Sequence, residues 1–405
     1  MKQPRLKPAL ILGSGFHRHT LGEQASSKVR CLFDWHELVT QTAQCMQVAT
    51  PTEHQSPVLR WESMIIDAAR DGYRDRRGHW RTAGPPVPHE QRGLGYLPVP
   101  ATHHIELDAK ATVSKLLQVS SQDYPNSRRA EIPLDPCWGC VISLNFDHAW
   151  QPGLRRSDLK KAQQVRSSDY GHSQIARDPG DSNRCRRMTA REERRLASSV
   201  APVATAHCSR PRLWYPNGSI LQPETIRMGL RDYGAAPEAI RLAFNRLKAW
   251  EQRQGFSALP QSIAYGRATD ALIKASEAGL DADLTDWFVD DSTDKDRPFP
   301  LTWVAEFLYR PLVFAGVGLS DQETGIWWLL AQRRRNLARV ENPANGSVRI
   351  LLNRAKGSGS QCDDRSAFWA TQPLGVEPLY CDDWRAGWDT LMQMMRQANH
   401  KDSRS

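Results

Sequence analysis

Six short apolar runs punctuate the chain, at 9–12, 141–144, 212–215, 312–316, 348–353 and 376–380. Most are bounded by Gly, Pro, Asn or Asp. Continuous apolar runs of this length read as strands buried on both faces. Helical periodicity fills part of the space between them. Ile240, Phe244, Leu247 and Trp250 share one helical face, and Pro237 suits the first turn of that helix. Ser320-Asp321-Gln322-Glu323 has the form of a capping box directly after the run at 312–316. The helix it opens carries Ile326, Trp327, Leu329 and Leu330 and closes on Arg333-Arg334-Arg335, where cations complement the helix dipole. A last helix starts near Asp383 and turns Trp384, Trp388, Leu391 and Met395 inward. Buried strands separated by helices predict an α/β architecture with a doubly wound parallel sheet.

Three regions fall outside this rhythm. Residues 50–135, rich in Pro, Gly, His and Arg, are expected to form a partly helical insertion with a helix at 61–71. Residues 150–208 are polar and basic and are expected to form a second, partly flexible insertion. Residues 235–310 are helical in pattern and are expected to form a lobe covering a site. No internal repeat is visible, and 1–405 reads as a single domain.

Composition narrows the class. The chain has 405 residues, 40% hydrophobic and 24% charged, with a formal net charge of +9. No apolar run is long enough to span a bilayer. The N-terminal stretch is basic without an apolar core or a small-residue cleavage site, so secretion is not expected. The eight cysteines are scattered, a spacing that suggests no disulfide framework and fits a reducing, cytoplasmic setting. Much of the positive charge lies between Arg155 and Arg195. No aromatic residues interleave with these arginines as stacking on single strands requires. A solvated insertion is therefore favoured there over a nucleic-acid surface.

Three strand ends carry residues suited to nucleotide chemistry. Gly13-Ser14-Gly15-Phe16 follows the first strand, a small-residue turn that permits close backbone approach to a phosphate; a plain tight turn is the competing reading. Beyond it, His17, Arg18 and His19 either flank a phosphate or sit as exposed loop residues. Asn145-Phe146-Asp147 ends the second strand, with the amide and the carboxylate two residues apart and so on one side. Such a pair suits a ribose diol, a carboxamide or a water. A turn-forming Asn/Asp pair is the alternative. Gly316-Val317-Gly318-Leu319-Ser320 is a second strand–turn–helix junction, where Glu323 either reaches a ribose hydroxyl or serves the capping box. In an open α/β sheet ligands bind at the carboxyl ends of the strands, and these ends together suggest a dinucleotide site.

The order of the pieces resembles the SIR2-like (sirtuin-like) NAD-consuming family, in particular its bacterial anti-phage defence branch. The resemblance rests on five elements: the Gly13-Ser14-Gly15 turn, Trp35-His36-Glu37-Leu38 as a W-x-x-L element, Asn145-Phe146-Asp147, Asn217-Gly218-Ser219-Ile220 followed by Asp232-Tyr233, and the run from Phe314 to Glu323. It spans most of the chain apart from the insertions. It implies a Rossmann-like fold and NAD as substrate, hydrolysed to nicotinamide and ADP-ribose so that NAD is depleted during infection. Carried over residue by residue, it implies catalytic roles for Asn145, Asp147 and position 217. It also implies dinucleotide contacts from Gly13, Ser14, Gly15, Phe16, Gly218, Ser219, Gly316, Gly318, Leu319 and Glu323. A homo-oligomer, or a complex with an activating ATPase or nucleotide-sensing subunit, is the implied setting.

One position departs from the family. Its histidine before Gly-Ser falls at 217, where this chain has Asn217; the nearest histidine, His207, lies ten residues earlier. Asn217 can hydrogen-bond a ribose hydroxyl but cannot take its proton. Nicotinamide leaves as a neutral pyridine, so departure needs no general acid, and a missing base costs about 10²–10⁴-fold rather than the whole reaction. A nucleotide-binding module that signals to a partner without turnover is the alternative. An NAD-dependent deacylase or ADP-ribosyltransferase is another. Against the deacylase stands the cysteine pattern. Sirtuin deacylases carry two Cys-x-x-Cys pairs on zinc, whereas this chain has only Cys137-Trp138-Gly139-Cys140. That stretch reads as a turn into a buried strand, and no metal is expected. Ser219 lacks a nucleophile-elbow pattern, so a hydrolase triad is not expected either.

Overall fold

The computed structural model describes residues 6–17, 27–50, 55–82, 99–122, 132–147, 211–218, 220, 223, 226–277, 299–317, 323–338, 340, 345–353 and 374–402. The basic region expected at 150–208 lies outside the described residues, as do Arg18, His19, Ser219, Gly318 and Leu319.

The six apolar runs form one parallel sheet. Its strands are β1 (Ala9–Leu12), β4 (Cys140–Ser143), β5 (Arg212–Trp214), β6 (Leu312–Ala315), β7 (Val348–Asn353) and β8 (Val376–Cys381). A two-stranded hairpin, β2 (Tyr73–Arg74) with β3 (Trp80–Arg81), stands apart. The order across the large sheet is β5-β4-β1-β6-β7-β8. β1 is central and pairs in parallel with β4 on one side and β6 on the other. After β5 the chain crosses back over β1 to begin the second half at β6. Counted by rank along the chain, this is the 3-2-1-4-5-6 order of doubly wound, Rossmann-like sheets, which place their ligand crevice where the winding reverses.

Burial on both faces explains why the inner strands β1, β4 and β6 are continuous apolar runs, whereas the edge strand β8, also expected to be buried, leaves Glu377 and Tyr380 exposed because no strand covers its outer side. Ala9 and Ile11 of β1, with Ile142, Trp214 and Phe314, face a cluster built on α4 (Leu230–Arg253), α5 (Gln261–Glu277), α6 (Trp303–Tyr309) and α7 (Thr324–Leu337). Leu10 and Leu12, with Val141, Leu213 and Val313, face the opposite cluster with Trp388, Leu391 and Met395 of α8 (Trp384–Asp402). A third cluster joins α1 (Trp35–Met46), α2 (Pro57–Asp71) and α3 (Val99–Gln122) to Phe146, Ile220, Ile226 and Met228. The described part of 50–135 is thus a helical group seated on the segments that leave β4 and β5.

Three local expectations change. The helix carrying Ile240 and Trp250 begins at Leu230, so Pro237 lies inside it rather than in its first turn. Pro237 brings no N–H to the carbonyl of Tyr233, one turn earlier. α7 begins at Thr324, with Glu323 as its N-cap residue and no side-chain capping bond, so Glu323 is not the interior partner of a capping box. Arg333 does not serve the end of its own helix. It is fully buried and donates to the carbonyls of Phe307 and Leu308, at the end of α6, and to that of Asn345.

Candidate active site

Every strand of the sheet points its carboxyl end to the same edge, and the candidate residues are carried there by the loops that follow. At the centre, the turns after β1 and β6 interlock. The Gly13 N–H donates to the Ala315 carbonyl and the Gly15 N–H to the Gly316 carbonyl, each at 3.0 Å. A Cβ on Gly13 would run into the Gly316 carbonyl, and Gly316, at φ 65°, would place a Cβ against the Phe16 nitrogen. These glycines let two backbones touch at the point where the winding reverses. The N–H groups of Phe16 and His17 close onto the Gly13 and Ser14 carbonyls. The backbone donors of Gly13, Gly15, Phe16 and His17 are thus engaged within the fold. Phe16 is buried edge-on against Trp388, with ring centroids 5.6 Å apart.

The end of β4 supplies the most concentrated chemistry. Asn145 is 4% exposed, and its amide nitrogen has no hydrogen-bond partner among the described residues. Two residues on, the Asp147 Oδ2 lies 2.9 Å from the His17 Nε2, with side-chain exposures of 2% and 0%. His17, which the sequence allowed as a phosphate neighbour or an exposed loop residue, is neither exposed nor apart from the carboxylate. Between Asn145 and Asp147, Phe146 enters the α1–α3 cluster and packs on Trp35, with centroids 5.1 Å apart. The buried Tyr215 phenol is pushed well above its ordinary range, first by burial and then by the Asp147 charge.

The turn after β5 is strapped to this end of β4. The Asn217 amide donates to the Leu144 carbonyl at 2.9 Å, and the Ile220 N–H to the Phe146 carbonyl at 2.9 Å. Gly218, at φ 92°, makes the bend. Asn217 also forms one wall of a pocket of about 720 Å³, counted out to its open mouth. Leu144, Arg227, Tyr233 and Glu323 line it with apolar side chains that include Ile240, Trp303 and Ile326. Burial raises the Glu323 carboxyl above its ordinary range. Burial, then the Glu323 and Asp232 carboxyls, push the Tyr233 phenol up. Trp35 touches both halves of the site, since it also packs edge-on against Tyr233 at 6.2 Å. The neighbouring Asp232 is held by Lys110 at 2.7 Å, which pins the start of α4 to α3.

The predicted residues therefore fall into three adjoining groups. Gly13, Ser14, Gly15, Phe16 and Gly316 form the interlocked turns. Asn145 and Asp147 are both buried, and Asp147 pairs with His17. Asn217, Gly218 and Glu323 lie at or beside the pocket. The structure adds Tyr233, Arg227 and Trp35, and it gives His17, which the sequence offered as a phosphate neighbour or loop residue, a carboxylate partner. Of these, Trp35 and Tyr233 stand within the motifs read from sequence. No pattern announces the pairing of His17 with Asp147, because the two are 130 residues apart. Cys137 and Cys140 are buried thiols, and burial followed by Asp135 pushes the Cys137 thiol up. Among the described residues no group of three His, Cys, Asp or Glu side chains is placed to hold a metal ion, and no helix is long and apolar enough to cross a membrane. Set against known proteins, the chain matches no protein-family model and no curated protein.

Proposed function

We propose that this chain hydrolyses NAD⁺ to nicotinamide and ADP-ribose at the carboxyl edge of its sheet. The observation that carries the reading is Asn145. A buried amide nitrogen without a partner costs about 1–3 kcal/mol, a cost that a ligand acceptor removes. This one stands two residues from a buried carboxylate, beside the reversal point of a sheet whose order is that of dinucleotide-binding folds. The chemistry fits such a site. A water oxygen bonds to C1′ of the ribose as the C1′–N bond breaks, and the electron pair of that bond goes to the pyridine nitrogen. The water then releases a proton to solvent, leaving a hydroxyl on C1′ of the ADP-ribose. The barrier lies in the positive charge that develops on the ribose and in the placing of the water. Asp147 supplies the opposing charge, Asn145 orients the water or a ribose hydroxyl, and Glu323 accepts from a ribose diol in the pocket. An activity that drains NAD requires restraint. We therefore place the chain in a homo-oligomer or with an activating ATPase or nucleotide-sensing subunit, as the SIR2-like defence resemblance implies.

Asn217 favours a second reading. Its amide is committed to the Leu144 carbonyl and it has no group that takes a proton. In that reading the chain binds NAD or ADP-ribose without turnover and signals to a partner. NAD⁺ consumption by the full chain, beside Asn145→Ala and Asn217→His, separates the two. Hydrolysis predicts turnover that falls by about 10²–10³-fold in Asn145→Ala, as when a single charge-stabilising donor is lost, and rises in Asn217→His. Binding without turnover, converted to turnover by Asn217→His, supports the second reading. An Asn145→Ala protein with full activity overturns the site.

A further inference from the structure

We propose that His17 is the positioning residue of this site, acting through Asp147; the inference rests on the NAD-hydrolase reading. His17 is fully buried, and we assign it no substrate contact of its own. What it reaches is one oxygen of Asp147, at 2.9 Å. A carboxylate buried to this degree is costly unless a partner donates to it, and a well-placed donor also selects the side-chain rotamer.

The frame that delivers the donor is rigid. His17 sits just beyond the turn in which Gly13 and Gly15 bond to Ala315 and Gly316. Its neighbour Phe16 is wedged against Trp388 and makes an edge contact with the His17 ring. The imidazole therefore spans from the loop after β1 to the loop after β4, two strands paired residue by residue from Ala9↔Cys140 to Leu12↔Ser143. This fixes the Asp147 carboxylate relative to the unpartnered amide of Asn145.

Asn217 and His17 serve different strand ends and different tasks. Asn217 follows β5 and serves its loop by bonding Leu144. The histidine that matters for the carboxylate follows β1, on the other side of β4, and its task is orientation rather than proton transfer to substrate. Side-chain amides can stand in for such a donor. Glutamine carries an N–H at roughly the reach of Nε2, whereas alanine carries none.

The test uses the full chain with His17→Gln, His17→Ala and Asp147→Asn, each checked for a cooperative thermal melt, with NAD⁺ turnover and NAD⁺ affinity by calorimetry as readouts. Loss of a positioning contact predicts that His17→Ala lowers kcat by about 100-fold with KM within about 3-fold, and that His17→Gln recovers to within about 10-fold of the parent. If the chain binds NAD⁺ without turning it over, the same order must appear in affinity: His17→Ala as weak as Asp147→Asn, and His17→Gln near the parent. A His17→Ala protein with unchanged kcat and affinity, or a His17→Gln protein as impaired as His17→Ala, overturns the role of His17 and leaves the hydrolase reading standing. A parent chain that neither consumes nor binds NAD⁺ overturns that reading and this inference with it.

Discussion

Glu323 shows how a single residue's environment, rather than its motif, sets its chemistry. Read in sequence, it is as much a capping residue as a ligand contact. In the fold its backbone occupies the N-cap position of α7, and its side chain makes no capping bond. Burial in the pocket wall raises its pKa from the ordinary 4.5. A raised carboxyl pKa means that the folded chain holds the proton more tightly than the unfolded one. Its contribution to stability is fully present below pH about 4.5 and is lost as pH rises through the folded value. Glu323→Gln is therefore expected to flatten that part of the stability–pH profile and to be the more stable protein at neutral pH. It is also expected to weaken NAD⁺ binding if the carboxyl accepts from ribose. Urea midpoints across the range from about pH 4 to about pH 7 check the first statement, and an unchanged slope contradicts it. Asn145 and Asp147 are legible as a pair because their spacing is local. His17 is not, because its burial and its partner depend on how β1 and β4 come together.

Among the elements, the interlocked turns after β1 and β6 are the most constrained. Gly316→Ala combines a left-handed backbone, about 1–2 kcal/mol, with a collision against the Phe16 nitrogen that no flexible side chain can relieve. Overpacking of that kind costs about 1–3 kcal/mol more. Gly255 is the control, since it shares the positive φ, at 73°, but has open space where a Cβ would stand. Gly255→Ala is expected to lose only the backbone part. Gly234 lies within α4 with nothing near its missing Cβ, so Gly234→Ala is expected to gain up to about 1 kcal/mol from helix propensity alone. Denaturation midpoints of the three variants must rank in that order. Helix starts are the least legible feature at this scale. The rule that a proline opens its helix fails at Pro237 because α4 is held at Leu230 by tertiary contacts, among them Asp232 with Lys110 and the Leu230 N–H with Glu62.

Across the whole molecule the two edges of the sheet divide the labour. The carboxyl edge carries the polar residues of the candidate site, with the unpartnered Asn145 side-chain amide among them. The amino edge is tied down by Arg310, which is buried and paired with Glu306 and donates to the Lys7 carbonyl at 2.9 Å and to the Ser276 hydroxyl at 3.2 Å. Its guanidinium fills the space beside Gly139, so one side chain joins the segments entering β1 and β4 to α5 and α6. Breaking a buried pair of this kind costs about 3–5 kcal/mol, because the partner left behind keeps its charge. Arg310→Ala is expected to lower stability by that order and to leave NAD⁺ affinity unchanged under conditions where it is folded. A calorimetric titration below the melting transition tests this, and a large loss of affinity there shows that the edges are coupled.

What the sequence determined by itself was whatever local chemistry enforces. The runs of β1, β4 and β6, too continuous for a one-sided sheet, had to be buried on both faces. Their separation by helices made the sheet parallel, and the Gly-rich, Asn and Asp punctuation marked where each strand stopped. The positions of β1 and β7 follow from that alone, and the end of β4 to within one residue. The tertiary structure decided what depends on long-range register. The crossover after β5 puts β6 beside β1, which turns two separate glycine turns into one interlocked contact. Pairing of β1 with β4 brings His17 to Asp147. The docking of α4 and α7 at the carboxyl edge encloses Tyr233 and Glu323 and so shifts their protonation. Burial and proximity between residues far apart in the chain are properties of the packed molecule, and it is these that convert a set of strand ends into a candidate site.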